Sequence, residues 1–110
     1  MATTYKVLGQ VQGTAAVGTY STLYTVPAST SSVISTVTIC NQAATDATFR
    51  LAVAAAATPT TAEFIAYGTT VKANDSVTLT LGLTLEATKR IVISSSANTT
   101  SFGAFGSEIV

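Results

Sequence analysis

Five carboxylates are the side chains of this sequence best able to act as catalytic acids or metal ligands. They are Asp46, Glu63, Asp75, Glu86 and Glu108, and they are spread along the chain rather than clustered. A glycosidase needs two carboxyl groups facing one sugar bond, so such a pair would have to be assembled from distant positions. Asp46 and Asp75 lie in predicted turns, where an aspartate normally caps its own backbone. The acidic residues therefore favour structural roles over catalysis.

The commonest catalytic base and metal ligand is missing, because the sequence contains no histidine. Serine–histidine and cysteine–histidine pairs are thereby excluded. The single cysteine, Cys40, excludes an internal disulfide and a cysteine-based zinc site; we predict a buried thiol there, with an intermolecular disulfide as the alternative. Asn74-Asp75-Ser76 offers oxygen ligands but lacks the repeated acidic spacing of a calcium loop. We therefore expect no cofactor, no metal and no enzymatic activity.

Charged residues are scarce, at 9% of the sequence, against about 25% in a typical globular domain. Five basic residues balance five acidic ones, and no basic stripe that would bind nucleic acid is visible. The sequence has no apolar run long enough to span a membrane. A weakly charged surface does little to keep molecules apart. We therefore expect self-association into a dimer or trimer, since homo-oligomers favour closed symmetry.

Hydroxyl residues take the place of the missing charges, with 22 threonines and 11 serines. Threonine resists helix formation and suits the pleated face of a sheet. Alternation of apolar and polar residues predicts about eight short strands, at residues 5–11, 22–26, 33–40, 48–53, 63–68, 77–85, 90–94 and 99–109. This pattern predicts an all-β fold, an antiparallel β-sandwich that is immunoglobulin-like or jelly-roll-like. The whole chain, residues 1–110, is expected to form one domain.

Residues 32–54 carry the clearest strand pattern. The apolar side chains expected to face the core are Val33, Val37, Ile39, Phe49, Leu51 and Val53. The polar turn at residues 41–46 is short, so we expect the two strands to form a hairpin within one sheet. Their opposite face, which carries Thr36, Thr38 and Arg50, is predicted to be either a solvent surface or a contact.

Arg50 is the one basic residue predicted in the middle of this strand pair. It is either a solvated residue or part of an ion pair, across strands or between subunits, with Glu63 as a possible partner. Strand 77–85 is so regular and apolar that it would aggregate if uncovered. We therefore predict that it lies centrally or at an assembly contact.

Phe105 breaks the alternation of the last strand. A bulge at Gly103 or Gly106 is expected to turn both Phe102 and Phe105 inward. Terminal segments and an exposed sheet edge are the expected contact elements, because an unpaired edge accepts another strand. The candidate interface residues are Arg50, Glu63, Phe105, Glu108 and Ile109.

Five fragments in order carry a resemblance to a known family. They are Tyr5-Lys6-Val7-Leu8-Gly9-Gln10, Leu23-Tyr24-Thr25-Val26-Pro27, Val37-Thr38-Ile39-Cys40-Asn41, Thr48-Phe49-Arg50-Leu51-Ala52-Val53 and Ser101-Phe102-Gly103-Ala104-Phe105-Gly106-Ser107-Glu108-Ile109. Together they resemble small structural proteins of tailed bacteriophages, including cyanophages, over nearly the whole chain. The resemblance implies a non-enzymatic virion component, either a capsid decoration (cement) protein or a tail, neck or fibre component.

Decoration is favoured because the sequence lacks the repeats or heptads of a fibre shaft. A protein of this kind is expected to bind itself and other virion proteins, such as the major capsid protein, but neither nucleic acid nor a membrane. It is expected to be made in the host cytoplasm, since the first residues do not resemble a signal peptide, and to reside in the virion.

A binding module is the alternative function, for example a carbohydrate-binding or adhesion domain at a tail tip. Tyr20, Tyr24, Phe64 and Tyr67 would have to supply its stacking surface. That role requires rings that are exposed and roughly coplanar, and we expect most of these rings to lie in the core instead.

Overall fold

A computed structural model describes residues 2–14 and 16–110 of the chain, which contain eight strands and a short 3-10 turn, Thr61–Glu63. The strands are β1 (Thr3–Gln12), β2 (Ser21–Thr25), β3 (Ser31–Asn41), β4 (Ala47–Ala54), β5 (Phe64–Val71), β6 (Ser76–Leu85), β7 (Arg90–Ser95) and β8 (Thr100–Ile109). The predicted all-β class is confirmed, and every predicted strand is present. The largest error in a boundary is at the end of β5, which continues to Val71 rather than stopping at Gly68. No helix in the described part of the chain has the length and hydropathy needed to cross a bilayer.

The strands form two four-stranded antiparallel sheets that pack face to face. Sheet A has the order β1-β8-β3-β6, and sheet B has the order β2-β7-β4-β5. The chain thus pairs β1 with β8, β2 with β7, β3 with β6 and β4 with β5. This is one long hairpin, closed between β4 and β5 and rolled up on itself, which is the jelly-roll arrangement. It decides between the two expected sandwich types, because an immunoglobulin sheet pairs its first two strands.

The predicted hairpin between β3 and β4 is wrong, because the two strands lie in different sheets. Asn41, at the buried end of β3, explains the crossing. Its amide nitrogen donates to the carbonyl oxygens of Thr45 at 2.8 Å and Val71 at 3.2 Å, and its amide oxygen accepts from the Ala43 N–H at 3.0 Å. These bonds shape the turn after β3 and connect it to the end of β5, in the opposite sheet.

Three strands of sheet A, β1, β3 and β6, depart from regular pairing at about the same height in the sheet. Leu8 in β1 and Ser35 in β3 have no partner in β8, and the Ser35 hydroxyl donates to the Phe105 carbonyl at 3.0 Å. In β6 the same level is marked by Gly82, whose φ of 61° is a left-handed conformation that favours glycine. The extra residue at Ser35 reverses the alternation of β3.

The structure corrects two predictions about which side chains face the core. Ile34 rather than Val33 points into the core with no exposed surface, whereas Val33 is half-buried. Strand β8 itself is regular, so the bulge predicted at Gly103 or Gly106 is absent. As a result Phe102 faces the core, and Phe105 lies half-buried on the outer side of sheet A, against Gly103.

The core lies between the sheets and confirms the inward positions of Val37, Ile39, Phe49 and Leu51. Val53 packs against it from a half-buried position. Phe49 and Phe102 meet edge to face, with ring centroids 6.1 Å apart and planes at 72°. The predicted burial of Cys40 is wrong: this residue is exposed on the outer side of β3, because its neighbours Ile39 and Asn41 point inward.

Strand β6 is an edge strand of sheet A, so the expectation of a central position is wrong. Its apolar side chains, Val77, Leu79, Leu81 and Leu83, pack against the core from half-buried positions.

All four edge strands carry an irregularity: at Leu8 in β1, Leu23 in β2, Gly68 in β5 and Gly82 in β6. Such irregularities twist an edge away from regular pairing. Contacts through the outer faces of the sheets are therefore favoured over strand addition.

Candidate interaction surfaces

The outer side of sheet A, which we call the sheet A face, is free of charged side chains among the described residues. Its strands contain two charged residues, Lys6 and Glu108, and both point to the side where the sheets face each other. The face is made of the outward residues of its strands: Tyr5, Val7, Gln10, Gln12, Val33, Thr36, Thr38, Cys40, Thr78, Thr80, Thr84, Ser101, Phe105 and Ile109. A surface without charged groups costs less to dehydrate than a charged one.

One end of the sheet A face is apolar. Tyr5 is 84% exposed and Val7 is 51% exposed, and Val7 lies directly opposite Phe105. Ile109 is nearby, opposite Thr3. The predicted interface residues Phe105 and Ile109 thus lie on one surface, together with Tyr5 and Val7, which sequence reasoning did not select. The available signal was the placement of Tyr5 and Val7 on one side of a strand.

The other end of the sheet A face is an open depression of about 530 Å³ lined by neutral polar groups. The Gln12 amide donates to the Asn98 carbonyl at 2.7 Å, and the Gln42 amide donates to the Ser101 hydroxyl at 3.4 Å. The whole face therefore offers hydroxyl, amide and apolar groups, and no described charge.

The Glu108 carboxylate makes its hydrogen bonds within the sandwich rather than on its outer surface. It accepts a hydrogen bond from the Tyr24 hydroxyl at 2.5 Å and one from the Lys6 ammonium at 3.1 Å, and the Tyr24 hydroxyl also lies 2.6 Å from the Ser32 hydroxyl. The bond from Tyr24, followed by the bond from Lys6, lowers the pKa of Glu108 below its usual value. Burial and the hydrogen bond to Glu108 raise the pKa of Tyr24 to about 12. This network joins β8 to β1 and β2 and gives Glu108 a structural role within the chain, while its role in a contact outside the chain stays a prediction.

Glu108→Gln should destabilise the protein at neutral pH and much less in acid. A carboxyl group with a lowered pKa in the folded chain adds stability above its unfolded value, about 4.3, and that stability is lost as the pH falls through the folded pKa. The cost of the variant at pH 7 is expected to be about 1.5 to 3 kcal/mol, the range for a hydrogen bond to a charged group. Urea unfolding of both proteins at pH 7 and pH 3 tests this, with Glu86→Gln as the exposed control. An equal cost at both pH values would contradict it.

The outer side of sheet B carries what we call the Arg50 cluster, formed by Tyr20, Arg50, Phe64 and Tyr67. Arg50 and Tyr67 are cross-strand neighbours, and the guanidinium carbon lies 3.9 Å from the centre of the Tyr67 ring. A guanidinium N–H of Arg50 also donates to the Tyr20 hydroxyl at 3.0 Å. The Phe64 ring centroid lies 6.1 Å from that of Tyr20 and 4.9 Å from that of Tyr67. A hollow of about 310 Å³ opens beside Phe64, Tyr67 and Thr61.

Three buried side-chain polar atoms on the outer side of sheet B lack hydrogen-bond partners among the described residues. They are Nε of Arg50, Nε of Arg90 and the hydroxyl of Ser94. Arg50 and Ser94 are cross-strand neighbours on β4 and β7, and Arg90 begins β7 on the same outer side. Neither arginine forms an ion pair with a described carboxylate; the two ion pairs are Lys6–Glu108 and Lys72–Asp46.

The ion pair suggested for Arg50 and Glu63 is absent within the described chain. The Glu63 carboxylate instead accepts the backbone N–H groups of Thr60 at 2.8 Å and Ala55 at 3.1 Å. These two hydrogen bonds hold the loop before β5 and lower the pKa of Glu63. Glu63 therefore has a local structural role, while Arg50 points to the aromatic rings.

The four aromatic residues proposed for a stacking surface lie neither mostly in the core nor together on one flat, exposed surface. Tyr24 lies in the core, Tyr20 and Phe64 are half-buried on the outer side, and Tyr67 is 64% exposed. The expectation that most lie in the core is thus wrong. The outer rings are also not coplanar, with interplanar angles of 48° and 86°. A flat sugar ring cannot stack on all of them together.

No family model matches the sequence, and no curated protein matches it significantly. Among solved structures, it is similar to a chain of infectious bursal disease virus, Gx strain, with 13% identity and a TM-score of 0.54 over 97% of this chain. A chain of the Gt strain of that virus has 14% identity and a TM-score of 0.47 over 96% of this chain. This protein spans about a third of the length of each solved chain, 32%. Neither neighbour comes from a tailed phage, so that resemblance stays a prediction. The Gx-strain comparison establishes a shared β-sandwich fold.

Proposed function

We propose that this protein is a non-enzymatic structural component of a virus particle. Its more specific role is decoration of a tailed-phage capsid, where it binds the major capsid protein. The observation that carries the proposal is the uncharged sheet A face with its exposed apolar end. The resemblance to tailed-phage structural proteins and the fold shared with a chain of a virus structure support the same role.

The sheet A face has the size and chemistry of a protein contact. Four strands about 4.8 Å apart and ten residues long cover roughly 19 by 33 Å, or about 600 Å². Contact over this area buries roughly 1,200 Å² in total, which is the lower end of stable protein interfaces. Tyr5 and Phe105 are aromatic residues of the type enriched in interface cores.

Quantitative mass spectrometry of purified particles tests this role. Decoration requires many copies per particle, of the same order as the capsid subunits. A few copies per particle would assign the chain to the tail, neck or fibre instead, and its absence from particles would refute a virion role. A glycan-binding role at a tail tip is the less favoured alternative, because the aromatic rings are not coplanar.

Val7→Glu tests whether the sheet A face makes the contact. The new carboxylate would be dehydrated at the apolar end of this face, so particle occupancy is expected to fall at least about tenfold. Val17→Glu is the matched control, because Val17 is an exposed valine in the loop before β2. Equal occupancy of both variants would refute the assignment of the contact to this face, without affecting the virion role.

A further inference from the structure

Not every charged side chain among the described residues has a partner within the chain. Among its carboxylates, Asp46 accepts from Lys72 and the Ala73 N–H, Asp75 accepts from the Ser76 N–H, and Glu63 and Glu108 have the partners described above. Glu86 is exposed, and it has neither an ion pair nor a side-chain hydrogen bond to the described residues. Arg50 and Arg90 likewise have no carboxylate, although both contain a buried, unpartnered Nε.

We propose that the Arg50 cluster is a self-association site that takes Glu86 of a second copy of this chain. Self-association is expected from the weakly charged surface, and this inference goes beyond the proposed function by naming the surface and the residues that produce it. Glu86 lies in the turn that connects β6, an edge strand of sheet A, to β7 of sheet B. In a dimer with twofold symmetry each copy places its turn against the cluster of the other, so the contact is made twice.

The guanidinium group of Arg50 is oriented by its contacts within the cluster. Stacking on Tyr67 and the bond to Tyr20 fix the orientation of Arg50, which leaves further N–H donors of the planar fork for a carboxylate. An arginine–carboxylate bond that is partly dehydrated is stronger than a neutral hydrogen bond. Arg90 lies about 13 Å farther along β7, a distance of four strand residues, and adds a second positive charge on the same side.

The composition around Arg50 also favours a protein partner. Tyrosine, phenylalanine and arginine are the residue types enriched at the centres of protein interfaces. Two arginines on an otherwise neutral face are too few for the many phosphate contacts that nucleic acid requires.

Charge exchange tests the pairing in purified protein by sedimentation velocity and light scattering. The wild type is expected to dimerise, and Arg50→Glu and Glu86→Arg should each raise the dissociation constant by about tenfold or more. The double variant, Arg50→Glu with Glu86→Arg, should restore association to within about threefold of the wild type, because the pair is rebuilt with reversed polarity. Added salt should weaken the wild-type dimer.

Two controls separate this contact from general effects. Glu86 is exposed, so Glu86→Arg should leave urea unfolding unchanged even if Arg50→Glu disturbs the fold. Lys72→Glu, which alters an exposed ion pair elsewhere, should leave association unchanged. A wild type that is monomeric at high micromolar concentration, or a double variant that associates no better than the single variants, would overturn the inference. Neither result bears on particle occupancy, which tests the virion role separately.

Discussion

Replacing Phe49 with alanine is expected to lower the free energy of unfolding by about 3 to 5 kcal/mol. The Phe49 side chain has no exposed surface and packs edge to face against Phe102, so that β4 of sheet B and β8 of sheet A meet through these two rings. The small side chain would leave a cavity at the centre of the sandwich, because strands held by two neighbours each cannot move in to fill it. A loss of this size is a large fraction of the 5 to 15 kcal/mol that is typical of a native protein.

Urea unfolding followed by circular dichroism measures this loss. Phe64→Ala is the matched control: it removes the same side chain from a half-buried position on the outer side of sheet B, and it should cost clearly less. A cost below about 1 kcal/mol for Phe49→Ala would contradict the inward position of the ring. Similar costs for the two variants would mean that the outer cluster packs as tightly as the core.

Gly106→Ala is expected to destabilise the protein by about 1 to 3 kcal/mol or more, the range for an overpacked site. A Cβ at this position would collide with the Val33 carbonyl oxygen and would lie 3.0 Å from the Val33 carbonyl carbon and 3.1 Å from the Ile34 Cα. All three atoms belong to the backbone of β3, so the strands β8 and β3 would have to separate. The close approach occurs beside the Ser35 bulge, since Gly106 pairs with Ile34, the residue before it.

The direction of the change in stability shows whether the new methyl group meets a steric conflict. Without a steric conflict, replacing glycine with alanine stabilises a protein by about 0.4 to 1 kcal/mol, because the unfolded chain loses freedom. Gly103→Ala is the control on the same strand, since the atoms nearest its new Cβ would be side-chain atoms, in the Phe105 ring and the Thr38 hydroxyl, at 3.2 Å. Those side chains can move, so a small effect is expected. Thermal unfolding of both variants measures the difference, and a stabilised Gly106→Ala protein would show that the two strands are not in such close contact.

The eight strands could be located from the sequence because their alternation is a local property. Side chains of a strand point to opposite sides with a period of two, and the turns are marked by proline, glycine, asparagine and aspartate. The inward positions of Phe49 and Leu51 follow from this period alone. The shortage of charge was equally visible, but the sequence did not indicate that one whole face would lack charge, because Arg50 was expected on the same face as Thr36 and Thr38.

The candidate surfaces were only partly predictable. Arg50 was selected as a residue of interest, but its partners are Tyr20 and Tyr67 rather than Glu63, since cross-strand pairing of β4 with β5 was not predicted. Phe105 and Ile109 were selected, and both lie on the sheet A face. Glu108 was selected as a contact residue, although its hydrogen bonds to Tyr24 and Lys6 use it inside the chain.

By itself, the sequence determined the all-β class, the number and positions of the strands, and the neutral, hydroxyl-rich character of the surface. These properties depend on neighbouring residues, whose preferences are expressed within a few positions of the chain. Only the tertiary structure decided that β3 and β4 lie in opposite sheets, that the bulge at Ser35 exchanges the roles of Val33 and Ile34, and that the Arg50 cluster forms. Each of these depends on pairing between strands far apart in the chain, where one inserted residue reverses which side chains face the core.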